Sequence, residues 1–161
     1  MVYGDIILHP ELGEIFIFWG NDGKLKEISL EGSHLDMFAV PGSFTEVMPE
    51  VSEYLQNFGN DLIPDFSPDI LDFSWCSGFM EKVYRTLFTI RRGAVLTYGK
   101  LAEIAGFPRA ARAVGTAMRK NRFILVIPCH RVVGANSLGG FTGSIAVKKK
   151  LLRMEGFETE W

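Results

Sequence analysis

The first thirty residues hold short β-prone apolar runs separated by turn residues, whereas beyond residue 77 the apolar positions fall three and four apart. The first pattern belongs to strands, the second to amphipathic helices. Asp5–Leu8 and Glu14–Trp19 are rich in β-branched and aromatic residues, and Pro10-Glu11-Leu12-Gly13 between them has the composition of a turn. Asn21-Asp22-Gly23 predicts a hairpin turn leading into a third strand over Lys24–Leu30. Thr45 is placed to cap a helix running through Phe58, with Val47, Val51, Tyr54, Leu55 and Phe58 on one face. Pro64 and Pro68 make Asp61–Trp75 an irregular connection.

The helical period then takes over. Ser77 is a candidate N-cap for a helix whose stripe is Phe79, Met80, Val83, Tyr84, Leu87 and Phe88, ended by Gly93. Thr97 can cap a short helix over Tyr98–Ala105, closed by Gly106 in the left-handed conformation. Pro108 suits the first turn of a further helix running from Arg109 to Arg119. Two short helices joined by Gly106-Phe107-Pro108 predict a helix-turn-helix, a pattern that an ordinary helical hairpin shares. The second helix carries Arg109, Arg112 and Arg119 among the small residues Ala111, Ala113 and Gly115. Small residues let a helix approach a surface, and arginines bind phosphate or fill a base-sized gap. Phe123–Ile127 is an apolar, β-prone run that delivers Cys129 to its edge. Gly134–Ser144 reads as a loop, and Ala146–Glu155 as a last helix with Lys148, Lys149, Lys150 and Arg153 on a basic face.

Charge divides the chain where the period changes. Residues 1–76 carry two basic side chains against fourteen acidic ones, and residues 77–161 carry fifteen against five. Two lobes are therefore expected, an acidic one over residues 1–75 and a cationic one over residues 76–161. The fold class is α+β: an α/β N-terminal lobe and a mainly helical C-terminal lobe with the helix-turn-helix. A cationic lobe of this size is the footprint of a polyanion binder, nucleic acid first. No apolar run reaches the ~20 residues of a membrane span, and the start of the chain lacks a signal-peptide pattern. Two cysteines form neither a disulfide framework nor a zinc quartet, which points to a reducing compartment, cytoplasmic or, in a eukaryote, nuclear. His9, His34 and Cys76 lack ligand spacing, so no metal and no cofactor are expected.

Ile127-Pro128-Cys129-His130-Arg131-Val132-Val133 carries the candidate chemistry. A lone cysteine is more often a small buried hydrophobe than a nucleophile. Here a base and a cation adjoin it, and both favour the thiolate that attacks. This heptad, with Tyr98-Gly99-Lys100-Leu101-Ala102, Ala111–Met118, Asn121 and Met154-Glu155-Gly156, resembles the O6-alkylguanine-DNA alkyltransferases over roughly residues 77–157.

The resemblance implies a small ribonuclease H-like sheet in the N-terminal lobe. It also implies direct reversal of DNA damage: an alkyl group passes from guanine O6, with thymine O4 as a second candidate donor, to Cys129, which is consumed. His130 would deprotonate the thiol through a water, and Glu155 would orient His130. Arg112 would fill the space of a flipped base, Tyr98 would drive the rotation, and Ala111, Ala113, Gly115 and Arg119 would face DNA from the minor groove. Tyr98, Met118, Val132, Thr142 and Gly143 would form the substrate pocket, and Asn121 would brace the active-site segment. The expected partner is double-stranded DNA carrying O6-alkylguanine, met by a monomer. The alternative is a non-enzymatic lesion binder of the alkyltransferase-like type, in which tryptophan commonly replaces the cysteine. Where the family reads Gly-Tyr-Ser-Gly-Gly, this chain has Gly140-Phe141-Thr142-Gly143-Ser144, which bears on pocket width.

Overall fold

The β-prone runs at the N-terminus form a three-stranded antiparallel meander, β1 (Val2–His9), β2 (Gly13–Gly20) and β3 (Leu25–Ser29). This computed structural model describes residues 2–30, 44–60 and 64–158. Both hairpins turn on glycines with positive φ, Gly13 at 77° and Gly23 at 71°, a conformation that costs a residue without Cβ least. Pairing of β1 with β2 runs from Val2 opposite Gly20 to His9 opposite Gly13. Ile15, Ile17 and Trp19 are buried on one face of the central strand, and Phe18 is buried on the other. His9 holds the first hairpin. Its Nδ1 accepts the Glu11 and Leu12 N–H groups at 3.1 and 3.0 Å, and its Nε2 meets the Phe58 carbonyl at 2.8 Å.

The helix expected from Thr45 to Phe58 is instead two pieces, α1 (Phe44–Val47) and α2 (Pro49–Gln56). Pro49 explains the break, because it has no N–H to continue a helix and is suited to a first turn. The N-terminal unit comprises residues 1–74 together with Arg122–Leu125. The β-prone run Phe123–Ile127 is not a strand. Phe123 makes a single bridge to Ile28, and Leu125 turns the chain with φ of 71°.

The second unit comprises residues 75–121 and 126–161. Ser77 caps α3 (Gly78–Phe88) by accepting the Met80 N–H at 3.2 Å, and Thr97 caps α4 (Tyr98–Ile104) through Lys100 at 3.1 Å. Helix α4 ends in a Schellman turn. Gly106 N–H bonds the Glu103 carbonyl, Phe107 N–H bonds the Ala102 carbonyl, and Gly106 has φ of 88°. The next helix, α5, begins at Ala111 rather than at Pro108 or Arg109. Arg109 takes φ of 72°, which no helix accommodates, so it belongs to the turn. The buried Tyr84 hydroxyl donates to the Ala117 carbonyl at 2.6 Å and fixes α5 from behind. A short parallel pair follows, β4 (Leu96–Thr97) with β5 (Val132–Val133), and the last helix is α6 (Ile145–Met154). Among the described residues, no helix is long and apolar enough to cross a membrane.

Candidate active site

Cys129 opens a single 3-10 turn, Cys129–Arg131, between Pro128 and β5. Its own N–H bonds the Ile127 carbonyl at 2.7 Å, and that carbonyl also accepts the Asn121 side-chain N–H at 2.8 Å. Asn121 is thereby locked to the segment that presents the cysteine. The residue is only 3% exposed, yet Cys129 lines a cavity of about 430 Å³. Tyr98, Arg112, Met118, Arg119 and Thr142 line the same cavity.

Glu155 reaches the site because of how α6 ends. It is the C-cap residue, followed by Gly156 with φ of 80°. Gly156 N–H bonds the Arg153 carbonyl and Phe157 N–H bonds the Leu152 carbonyl, a second Schellman turn, with Phe157 packed on the cluster containing Leu152. The buried Glu155 carboxylate then accepts from three directions. His130 Nε2 lies 2.8 Å from Oε1, and Arg131 donates through Nε at 2.9 Å to Oε2 and through Nη2 at 2.6 Å to Oε1. Arg131 also donates to the Ile90 carbonyl at 2.5 Å.

Burial alone would raise the Glu155 carboxyl, but the hydrogen bonds from His130 and Arg131 outweigh it and hold the group at about 2. Burial lowers His130 below the ordinary imidazole value, against the opposing pull of Glu155. The resting pair is therefore a neutral imidazole donating Nε2–H to a carboxylate, which leaves Nδ1 as the basic nitrogen. Burial raises the Cys129 thiol, partly offset by Asn121 and by the charge on Lys148. At rest the cysteine is a thiol in need of a base.

Lys148 was not foreseen as part of the site. The basic face expected on α6 breaks at this residue, which is fully buried. Its ammonium donates to the Val132 carbonyl at 2.6 Å and the Gly140 carbonyl at 3.0 Å, and burial lowers it to about 8. The signal was present in the spacing. Lys148, Leu151, Leu152 and Glu155 stand at i, i+3, i+4 and i+7, one helical face. Arg131 was read only as a cation beside the thiol, whereas its guanidinium is turned to Glu155.

The cavity does not gather every expected residue. Val132 is fully buried in β5, with its carbonyl bound to Lys148, and Gly143 does not line the cavity; Gly140 and Phe141 do. Ala111 and Ala113, expected on the DNA side rather than in the pocket, lie on α5 outside the cavity lining, and Gly115 is part of it. Tyr98 donates its hydroxyl to the Gly140 carbonyl at 3.4 Å. Ser144, which stands where the family has glycine, caps α6 by accepting the Val147 N–H at 3.2 Å. Among the described residues, no group of three or more His, Cys, Asp or Glu side chains could hold a metal ion. His34 lies outside the described residues.

Residues 78–157 match the family model described as the DNA-binding domain of 6-O-methylguanine DNA methyltransferase. A methylated-DNA–protein-cysteine methyltransferase of Methanothermobacter thermautotrophicus is 34% identical over 155 residues, covering 96% of this chain and 85% of that protein. The structure of Mycobacterium tuberculosis OGT in complex with DNA superposes with a TM-score of 0.74 at 29% identity, covering 96% and 92% of the two chains. An O6-methylguanine-DNA methyltransferase from Pyrococcus kodakaraensis superposes at 0.72 with 26% identity, covering 97% and 99%. With a buried cysteine facing a cavity beside a histidine–carboxylate pair, these matches establish that the chain belongs to the methylated-DNA–protein-cysteine methyltransferase family.

Proposed function

We propose that this protein repairs alkylated duplex DNA as a monomer by moving an alkyl group from guanine O6 to Cys129. The observation that carries the proposal is the junction of a buried thiol, a neutral histidine held by a carboxylate, and a cavity of about 430 Å³. His130 takes the thiol proton through a water, with Glu155 fixing the imidazole tautomer, the arrangement of a nucleophile, base and orienter. The thiolate attacks the alkyl carbon. One S–C bond forms, the C–O6 bond breaks, and the electron pair leaves on guanine, which takes up a proton as the normal base. The product is a thioether, stable to water, so each molecule acts once.

O6 cannot be reached inside a stacked duplex, so the nucleotide is turned out of the helix. Arg112, exposed on α5 and lining the cavity, takes the vacated place, and Tyr98 crowds the backbone to favour rotation. Helix α5 enters the minor groove, with Gly115 and Arg119 nearest the lesion. A lesion binder without transfer is less well supported, because the thiol lies in the cavity lining.

The test mixes the protein with a duplex containing O6-methylguanine and reads intact mass and a peptide map. One methyl group per molecule on Cys129 is expected. No methyl on Cys129, or several lesions repaired per molecule, overturns the proposal. Arg112→Ala should slow duplex repair about a hundredfold or more while a free-base substrate still alkylates Cys129, since only the duplex must be opened.

A further inference from the structure

The cavity wall over Gly139–Thr142 is fastened at both ends. Toward Gly140, the buried Lys148 ammonium and the Tyr98 hydroxyl converge on one carbonyl. Toward Thr142, the hydroxyl is shared between the Arg119 carbonyl at 3.0 Å and the Met118 carbonyl at 3.4 Å. Those two acceptors belong to the last turn of α5, whose carbonyls look beyond the helix for partners; the Met118 carbonyl also accepts the Asn121 N–H at 3.3 Å. Glycines in the left-handed region flank the wall, Gly139 with φ of 70° and Gly143 with φ of 108°. The fastenings are unequal. The first rests on a charged donor with no exposed surface, whereas Thr142 is exposed and its bond competes with water.

We infer that the Thr142 hydroxyl is a latch that sets how large an alkyl group the cavity accepts, a specificity-determining contact that rests on the alkyl transfer proposed above. Phe141 and Thr142 both line the cavity, and Met118, whose carbonyl shares the latch, lines it as well. With the hydroxyl bonded to α5, the wall and the helix hold one separation. Without it, the wall swings about its glycines and the cavity widens. A larger alkyl group then fits, while a methylated guanine is held less closely and reacts more slowly.

The test compares second-order rate constants for duplexes carrying O6-benzylguanine and O6-methylguanine, using the whole protein and two variants. Thr142→Val keeps the shape and removes the hydroxyl; Thr142→Ser keeps the hydroxyl and removes the methyl. A hydrogen bond of this kind corresponds to roughly a three- to tenfold effect. Thr142→Val is expected to raise the benzyl-to-methyl ratio by about fivefold, with Thr142→Ser within about twofold of the original. Taking a ratio within each preparation removes any effect of the folded fraction. An unchanged or lower ratio in Thr142→Val overturns the latch, as does an equal shift in Thr142→Ser. Failure of the unmodified protein to accept any alkyl group overturns the function and the latch together.

Discussion

Each unit holds one charged group shared between two partners, and the two arrangements differ in depth. In the N-terminal unit, Lys26 bridges Asp22 at 2.6 Å and Asp72 at 3.0 Å, with a fifth of its side chain exposed. In the second unit, Arg131 and His130 share Glu155, and all three are nearly free of solvent contact. A partly exposed ion pair contributes little, because water screens the attraction and competes for the partners. A buried set costs several kcal/mol in desolvation and is stable only when every member is bonded. The N-terminal pair could be exchanged for other polar residues at small loss. The buried set is costly to keep, and it is the arrangement that leaves a histidine neutral and oriented beside a thiol.

The sharpest way to break this contrast is Glu155→Gln. An amide cannot match both the guanidinium and the imidazole, so unfolding by urea should show a loss of about 3–5 kcal/mol. Alkyl transfer by the folded fraction should fall by about a hundredfold or more, as loss of a base's orienter commonly does. The carboxyl also predicts an acid limit. Its folded value of about 2 lies below the ordinary 4.5, so its stabilisation is complete above pH 4.5 and is lost as pH falls toward 2. Stability measured across that window should drop by about 2 kcal/mol more in the unmodified protein than in Glu155→Gln.

Lys148→Met separates stability from activity. Removing a buried ammonium relieves desolvation but strands the Val132 carbonyl and leaves the Gly140 carbonyl with Tyr98 alone, so stability should change by no more than about 1 kcal/mol. The rate of transfer should fall about tenfold or more, because the thiolate loses its nearby positive charge. Equal losses in rate and stability would assign Lys148 to packing alone.

Gly139→Ala should act through Tyr98. A Cβ there would stand 2.6 Å from the Tyr98 hydroxyl, and the backbone has positive φ. The displaced ring takes up space in the cavity it lines, so a benzyl substrate should slow by about tenfold and a methyl substrate by less, the difference seen for one or two groups in a tight site. Lys26→Met should have the smallest effect, a stability loss below about 1 kcal/mol with transfer unchanged.

Much of this site was legible in the sequence because short-range rules govern it. Ser77, Thr97 and Gly106 act where capping chemistry places them, and the Pro-Cys-His-Arg order put the imidazole next to the thiol. Three features escaped for identifiable reasons. Pro49 divided a helix whose apolar period runs unbroken through it. Arg109 adopts a left-handed turn, although Pro108 before it suits the first turn of a helix. Lys148 sat inside a run of three lysines, where composition says surface and only the face shared with Leu151, Leu152 and Glu155 says interior. The β4–β5 pairing is only two residues long and has no local signature at all.

The burial of Cys129 has a consequence for the time before any reaction. On the chemistry proposed above, a protein used once must keep its sulfur intact while it waits. Peroxides and small electrophiles consume accessible thiolates first. A thiol 3% exposed, with its acidity suppressed by that burial, offers them little. With His130 as the base proposed above, Cys129 stays slow toward every reagent that does not fill the cavity, which would give the unreacted protein a long shelf life.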